Sequence, residues 1–280
     1  MYVTFLGTGA ALPSLDRANT SLLIENEHKN KTILIDCGGD PYRNILRAGK
    51  TAESIDAVFI THAHIDHIGG LPSLIESLRL GGRTDALPIY AIAPVTEIIH
   101  KLLDVYSFEI IRETWSYPID IHTIQPGEPF QMAGFATTAH LTLHSVPCAG
   151  IRLNSPEEPA AILGYTSDTK YTNSLKDIAA NASCFITEAT YIQGNEEMAD
   201  KVGHFTAQQA AKTAQDNHVK SLGLVHLSAP HADEALARAV AAKEYSGKII
   251  IPRDGSTIHF TESLDATVEN GLAHPVALQK

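Results

Sequence analysis

The sequence is poor in cysteine. It contains only Cys37, Cys148 and Cys184, and no two of them form a C-x-x-C pair. Three scattered cysteines exclude the disulfide framework of a small secreted domain and a thioredoxin-like redox motif. Because each one lies beside an apolar, strand-like segment, we expect all three to be buried as small hydrophobic side chains and none to act as a nucleophile.

Positive charge is also scarce. The chain has 21 lysines and arginines against 32 aspartates and glutamates, which gives a formal net charge of -11. Broad, non-specific binding to nucleic acid depends on clustered Lys and Arg. We therefore expect a small-molecule substrate, with nucleic acid disfavoured but not excluded, since a local basic patch stays open.

Long apolar runs are missing as well. No stretch is long enough to span a bilayer, and Met1–Leu6 lacks the charged and apolar segments of a signal peptide. These features favour a cytoplasmic protein without a membrane partner. The 280 residues and a hydrophobic content of 44% fit an ordinary globular core, in one large domain or two small ones.

The most informative stretch is Thr61–Gly70, which reads THAHIDHIGG. It follows Ile55–Ile60, which has the β-branched and apolar content of a buried strand. Three histidines and an aspartate fall within six residues: His62, His64, Asp66 and His67. Imidazole and carboxylate at this spacing suit Zn²⁺, and four such groups are more than one tetrahedral site easily takes from one loop. The loop therefore predicts two adjacent ions in preference to a metal-free, His-rich turn.

This loop, after a core strand and before Gly-Gly, resembles the signature of the metallo-β-lactamase superfamily. Four ligands cannot close two metal sites, and the resemblance places a His, a bridging Asp and a last His at later strand ends. His144, Asp168 and His226 fit those positions. The implied assignment puts His62, His64 and His144 on one ion, Asp66, His67 and His226 on the second, and Asp168 between them. The implied cofactor is two Zn²⁺, with Mn²⁺ or Fe²⁺ as alternatives.

Two other polar residues have competing interpretations. His140 lies on the same strand face as His144, and we discount it as a ligand because no turn follows it. Asp36 ends an apolar strand near the loop Thr61–Gly70, which we call the metal loop. There it would either orient a ligand histidine or serve as a helix cap or turn residue.

His204 precedes Thr206 and Gln209, which form a capping box for the next helix. A His followed closely by Thr-Ala at a helix start is similar to the ribonuclease Z branch of the superfamily. Further segments resemble that branch: Leu6–Gly9, Arg17 with Asn19, Asp36–Gly38 and Ser145–Pro147. The resemblance makes His204 a catalytic proton donor or phosphate contact, while a surface histidine is the alternative. Asp66 is the second catalytic candidate, as acceptor of the attacking water's proton.

The order of predicted elements indicates an α/β (α+β) fold. Strands come first and strand-helix alternation later in each half, which predicts two mixed β-sheets packed face to face with helices outside, the four-layer αββα sandwich. Residues 1–260 form one predicted metallo-β-lactamase-like domain, and 261–280 are a tail without periodicity. The segment from Phe108 to Pro118, with Trp115, either lines a substrate pocket or packs against the sheet.

The resemblance implies a dinuclear-zinc-dependent hydrolase. We expect a phosphodiesterase acting on a small or cyclic phosphodiester through a metal-bound hydroxide, because only Asn154–Pro159 stands where bacterial ribonuclease Z enzymes carry a long tRNA-binding arm. The alternatives are hydrolysis of a lactone, thioester or β-lactam, and ribonuclease Z-type RNA cleavage. An iron redox enzyme and a metal-bound scaffold without turnover are disfavoured while the ligand set is intact. A homodimer stays open.

Overall fold

The computed structural model of the chain describes residues 1–108, 117–228, 232–262 and 266–269. The strands are β1 Tyr2–Gly7, β2 Ser21–Glu25, β3 Thr32–Ile35, β4 Ala57–Phe59, β5 Leu87–Ile92, β6 Ile119–Ile124, β7 Pro129–Met132, β8 Phe135–Thr142, β9 Cys148–Asn154, β10 Ile162–Tyr165, β11 Cys184–Glu188, β12 Ser221–Val225, β13 Lys248–Ile250, β14 Thr257–His259 and β15 Thr267–Glu269. The helices are α1 Pro41–Arg47, α2 Ile65–Ile68, α3 Leu71–Leu80, α4 Ala93–Val105, α5 Lys176–Ala179, α6 Glu196–Val202, α7 Ala207–Asp216 and α8 Glu234–Glu244. Short 3₁₀ turns occur at Ala52–Ser54 and Asn173–Leu175.

The strands form two mixed sheets. One has the order β15-β14-β1-β2-β3-β4-β5-β6, and the other the order β13-β12-β11-β10-β9-β8-β7. Strands β3 to β6 run parallel to one another, as do β10 to β13. Helices α1 and α4 contact the first sheet, and α5, α7 and α8 contact the second. The predicted αββα sandwich of two mixed sheets is confirmed.

Alternation along the strands divides the apolar side chains between two cores. In β11, Ile186 belongs to the core between the two sheets, whereas Phe185 packs in the core beneath the helices. Leu222 and Leu224 of β12 share that second core with Ala210 of α7. Successive strand residues point to opposite faces of a sheet, so a strand covered on both faces reads as a continuous apolar run.

Three features of the fold differ from the predicted elements. Strand β7, which the sequence did not predict, forms a hairpin with β8, joined at Ala133-Gly134, where both residues have positive φ. Two consecutive residues with positive φ form a type I′ turn. The turn was not recognised from the sequence because its first position holds Ala instead of the usual Asn. The short helices α2, α5 and α6 were not predicted, and the short strand β15, which pairs with β14, lies in the predicted tail. Trp115 lies outside the described residues.

The three cysteines are buried and free, as predicted. Burial raises the pKa of the Cys184 thiol to about 12, and it also raises the pKa of Cys37. A thiol that stays protonated is a poor nucleophile, which agrees with a packing role. In the parts of the chain that the structure describes, no helix is both long and apolar enough to cross a membrane.

The loop after β3 and the metal loop after β4 pack backbone against backbone. The Cys37 N–H donates to His67 O at 2.6 Å, and the Gly70 N–H donates to Cys37 O at 2.8 Å. A Cβ on Gly38 would lie 2.1 Å from the carbonyl oxygen of Asp66 and 2.8 Å from Cβ of Asn19. Glycine is therefore required at position 38 to let the metal loop approach.

The substitution Gly38→Ala tests this packing. The new methyl group would force the two loops apart, and we expect a loss of about 3 kcal/mol in the free energy of unfolding, the upper range for overpacking. The matched control is Gly49→Ala, where φ is +71° and a Cβ would meet nothing within 4 Å. Left-handed strain alone costs about 1 kcal/mol there. Urea unfolding measures both, and equal losses would contradict the close approach.

Candidate metal centre

The seven predicted ligands come from the ends of strands at one edge of the sandwich. His62 and His64 follow β4, and Asp66 and His67 begin α2 directly afterwards. The other three ligands each follow a strand of the second sheet: His144 after β8, Asp168 after β10 and His226 after β12. Because β10 and β12 belong to a parallel set, their carboxyl ends meet at the same edge, the usual place for a site in such sheets. The structure brings all seven side chains together there.

The first group consists of His62, His64, His144 and Asp168. The inward nitrogen of His64, Nδ1, lies 3.2 Å from His62 Nε2 and 3.0 Å from His144 Nε2. Asp168 Oδ2 lies 3.7 Å from His62 Nε2 and 3.8 Å from His144 Nε2. Two nitrogens bound tetrahedrally to Zn²⁺ at about 2.0–2.1 Å are separated by roughly 3.3 Å. The nitrogen spacings therefore match the edges of a zinc tetrahedron.

The second group consists of Asp66, His67 and His226. His226 Nε2 lies 3.4 Å from both His67 Nε2 and Asp66 Oδ2, and the third edge, from His67 Nε2 to Asp66 Oδ2, is 3.6 Å. Asp168 Oδ2 is 3.4 Å from His226 Nε2 and so faces both groups. Asp168 Oδ1 is buried and, among the described residues, has no hydrogen-bond partner. A cation beside this carboxylate would satisfy the unpaired oxygen, so the residues present fit two metal ions.

The outward nitrogens of four of the five ligand histidines are held by protein acceptors. His67 Nδ1 donates to Asp36 Oδ2 at 2.8 Å, His144 Nδ1 donates to Gly203 O at 2.7 Å, and His226 Nδ1 donates to Thr190 Oγ1 at 2.8 Å. His62 Nδ1 donates to Thr61 Oγ1 at 3.0 Å, because the Thr61 hydroxyl itself donates to Asp36. Each of these bonds fixes the tautomer that turns the Nε2 lone pair inward, as in known metal centres.

Asp36 contacts a ligand histidine, as expected for the first of its two predicted roles, the orientation of that ring. Its carboxylate accepts from the Thr61 N–H, the Thr61 hydroxyl and His67 Nδ1, all within 2.9 Å. The cap of α1 is a different residue, Asp40, whose side chain accepts from the Arg43 N–H. Asp36 has a φ of +60°, a strained backbone conformation for a residue that is not glycine. Such strain is retained where the surroundings require one orientation of a side chain.

Burial and neighbouring charges shift the pKa values of His62, His67 and Asp168 away from their usual ranges. Burial, followed by the neighbouring charge of His67, lowers the pKa of His62 and so favours the neutral imidazole that a metal needs. Burial would raise the pKa of Asp168, but the charges of His226 and His67 outweigh it and hold that pKa well below the usual range. Burial would lower the pKa of His67, but the charges of Asp168 and Asp36 outweigh it and raise that pKa.

His204 lies in the same cleft, beside a carboxylate that the sequence analysis missed. Its Nδ1 donates to the two oxygens of buried Glu188, at 3.0 and 3.1 Å. Burial alone would lower the pKa of His204, but the charge of Glu188 and its hydrogen bond raise that pKa to about 9. The capping box of Thr206 and Gln209 is present and fixes the start of α7 directly after His204. Glu188 ends strand β11 at the same edge as the ligands, and that placement was the available signal.

Two other residues of the sequence analysis lie away from the metal groups. His140 on β8 forms a hydrogen bond with Thr138 Oγ1 at 3.1 Å, and the metal groups of the described residues do not include it. Arg17 is buried, and its guanidinium donates to Thr8 Oγ1 at 2.6 Å and to Glu234 at 2.8 Å. This arginine therefore anchors the loop between β1 and β2 and does not face the cleft.

The relatives of the chain are ribonucleases by name. Ribonuclease BN of Erwinia tasmaniensis is 29% identical over 86% of this chain and 93% of its own length. Ribonuclease Z of Bacillus licheniformis is 27% identical over 94% of this chain and 98% of its own. That second alignment runs over 310 positions, although this chain has only 280 residues, so the relative carries segments without a counterpart here. The names do not support the expectation that nucleic acid is disfavoured, and RNA stays a substrate class to test.

Solved structures share the fold over nearly the whole chain. The metallo-β-lactamase fold protein YhfI from Bacillus subtilis has a TM-score of 0.77 at 25% identity and covers 91% of this chain and 97% of its own. The short form of human tRNase Z has a TM-score of 0.75 at 23% identity and covers 92% and 99%. The family described as beta-lactamase superfamily domain matches residues 31–227. The chain therefore belongs to the β-lactamase superfamily and is a hydrolase with the metallo-β-lactamase fold.

Proposed function

We propose that the protein is a dinuclear zinc phosphodiesterase that hydrolyses a small or cyclic phosphodiester. The observation that carries the proposal is the position of Asp168, whose carboxylate lies between two clusters of inward-facing ligand atoms and has an otherwise unpaired buried oxygen. We assign His62, His64 and His144 to one ion, Asp66, His67 and His226 to the other, and Asp168 to both.

In this proposal the ions supply a nucleophile and charge stabilisation, because two Zn²⁺ lower the pKa of bound water towards neutrality and take up charge from phosphoryl oxygens. The side chains of this protein orient the ligands and move protons. Asp66 accepts the proton of the attacking water. His204 donates a proton to the leaving oxygen, and its hydrogen bond with Glu188 favours the imidazolium form that can give up that proton.

Cleavage at phosphorus agrees with the names of the relatives, since ribonucleases cut phosphodiester bonds. A small substrate agrees with three properties of this chain. The turn between β9 and β10 spans only residues 155–161. The ribonuclease Z of Bacillus licheniformis carries segments that have no counterpart in this chain. The net charge of this chain is -11. A large polyanion such as RNA is normally held by clustered Lys and Arg.

The second candidate is RNA cleavage of the ribonuclease Z type. It is favoured by the coverage of relatives with that name, which extends over more than nine tenths of this chain in the ribonuclease Z of Bacillus licheniformis. The same seven ligands and His204 would serve that reaction, so the site itself does not separate the two candidates. The surfaces that bind the substrate must distinguish RNA from a small phosphodiester.

A substrate screen on zinc-loaded protein separates these candidates. We expect hydrolysis of bis(p-nitrophenyl) phosphate and of a cyclic nucleotide, with little cleavage of precursor tRNA, because the chain lacks the extra segments of its relatives. The same protein should be offered a lactone and a thioester in parallel. Turnover restricted to those two esters would contradict cleavage at phosphorus, and efficient tRNA processing would favour the second candidate.

The proposed role of His204 predicts a dependence on the leaving group. We expect His204→Ala and Glu188→Gln to lower kcat by about 10²- to 10⁴-fold on esters with poor leaving groups, the usual range for general acid catalysis. The loss should be smaller for p-nitrophenolate, which needs little protonation. His140→Ala is the matched control and should keep full kcat. Equal losses on both ester types would mean that His204 holds the phosphate and does not protonate the leaving group.

A further inference from the structure

The cleft above the metal ligands has a volume of about 520 Å³, a size typical of small-molecule sites. Its walls beyond the ligands include three apolar residues from three different elements. Leu12 comes from the loop between β1 and β2, Ile65 from the first turn of α2, and Val202 from the end of α6. Their exposed fractions are 60%, 81% and 38%. Aliphatic side chains that stay exposed together around a polar centre mark a binding surface.

No lysine or arginine lines this cleft among the residues that the structure describes. Arg17, from the same loop as Leu12, is buried and bonded to Thr8, Glu234 and the Pro252 carbonyl. Helix α6, which contributes Val202, carries three acidic residues and a single lysine, with the sequence EEMADKV. The described part of the cleft wall therefore offers no lysine or arginine for a second or third phosphate group.

The charge of the proposed metal centre agrees with a singly charged substrate. Two divalent ions would bring four positive charges, and the carboxylates of Asp36, Asp66 and Asp168 with the proposed metal-bound hydroxide would bring four negative ones, so the pocket has no large positive excess to attract a polyanion. The Glu188–His204 ion pair adds no net charge. A phosphodiester brings a single negative charge to the two ions, whereas a polyanion would bring further charges to walls that, among the described residues, hold no lysine or arginine.

We propose that the cleft selects singly charged phosphodiesters with at least one aryl ester group, which packs against Leu12, Ile65 and Val202. This inference rests on the proposed phosphodiesterase function and specifies its substrate class. Burial of an aryl ring against such a wall removes enough apolar surface from water to change affinity by about tenfold or more. An oligonucleotide, whose flanking phosphates remain charged, would gain little from the same wall.

The first test is binding without turnover. Diphenylphosphinate and dimethylphosphinate are singly charged and have P–C bonds that are not hydrolysed, so calorimetry on the zinc-loaded protein reports recognition alone. We expect diphenylphosphinate to bind at least tenfold more tightly than dimethylphosphinate. Leu12→Ser and Ile65→Ser should each reduce that ratio by about threefold or more at unchanged zinc content. The control Leu80→Ser, at a side chain that is 71% exposed at the end of α3, should keep the ratio.

The second test uses two esters with one leaving group, phenyl p-nitrophenyl phosphate and methyl p-nitrophenyl phosphate. We expect the phenyl ester to have the higher kcat/KM, with the difference mainly in KM. Equal values for the esters, together with equal binding of the two phosphinates, would overturn the inference and leave the phosphodiesterase proposal intact. No turnover of either ester, with the phosphinate preference retained, would overturn the phosphodiesterase proposal and support apolar recognition. Tighter binding of an oligonucleotide than of diphenylphosphinate would also overturn the inference.

Discussion

Lone pairs converge on one pocket from five imidazole rings and two carboxylates, and the rest of the site depends on that convergence. Inward nitrogens lie 3.0 to 3.4 Å apart, and four of the five rings donate from their other nitrogen to a protein acceptor. In an empty pocket such an arrangement places acceptors against acceptors, a costly use of buried polar groups. Two cations placed between these acceptor atoms would replace each unfavourable contact with metal–ligand bonds.

The fold produces this convergence through strand ends and tight backbone packing. The parallel strands β10 to β12 deliver Asp168, Glu188 and His226 to one edge, and the loop after β4 meets them from the other sheet. Asp36 and His226 both have positive φ, so the chain turns sharply where a strand becomes part of the site. These strained positions are stabilised by the rigid sheets around them.

Much of this could be predicted from the sequence, because the ligands lie in loops that follow strands and many strand ends are visible as the limits of hydrophobic runs. The loop HAHIDH also places four candidate metal ligands within six residues. Glu188 was missed because its function depends on His204, which lies sixteen positions away in sequence and approaches it only across a loop and α6. The hairpin at Ala133-Gly134 was missed because alanine is not a usual residue for a left-handed turn position.

The central claim is that Asp168 bridges two metal ions, and the zinc content of the purified chain tests it most directly. Elemental analysis of protein prepared without chelator and supplied with zinc should give two ions per chain. The Asp168→Ala variant should lose affinity for both ions together, because one carboxylate serves both sites. A zinc content near zero in the unchanged protein would contradict the account, as would an Asp168→Ala variant that retains both ions at full affinity.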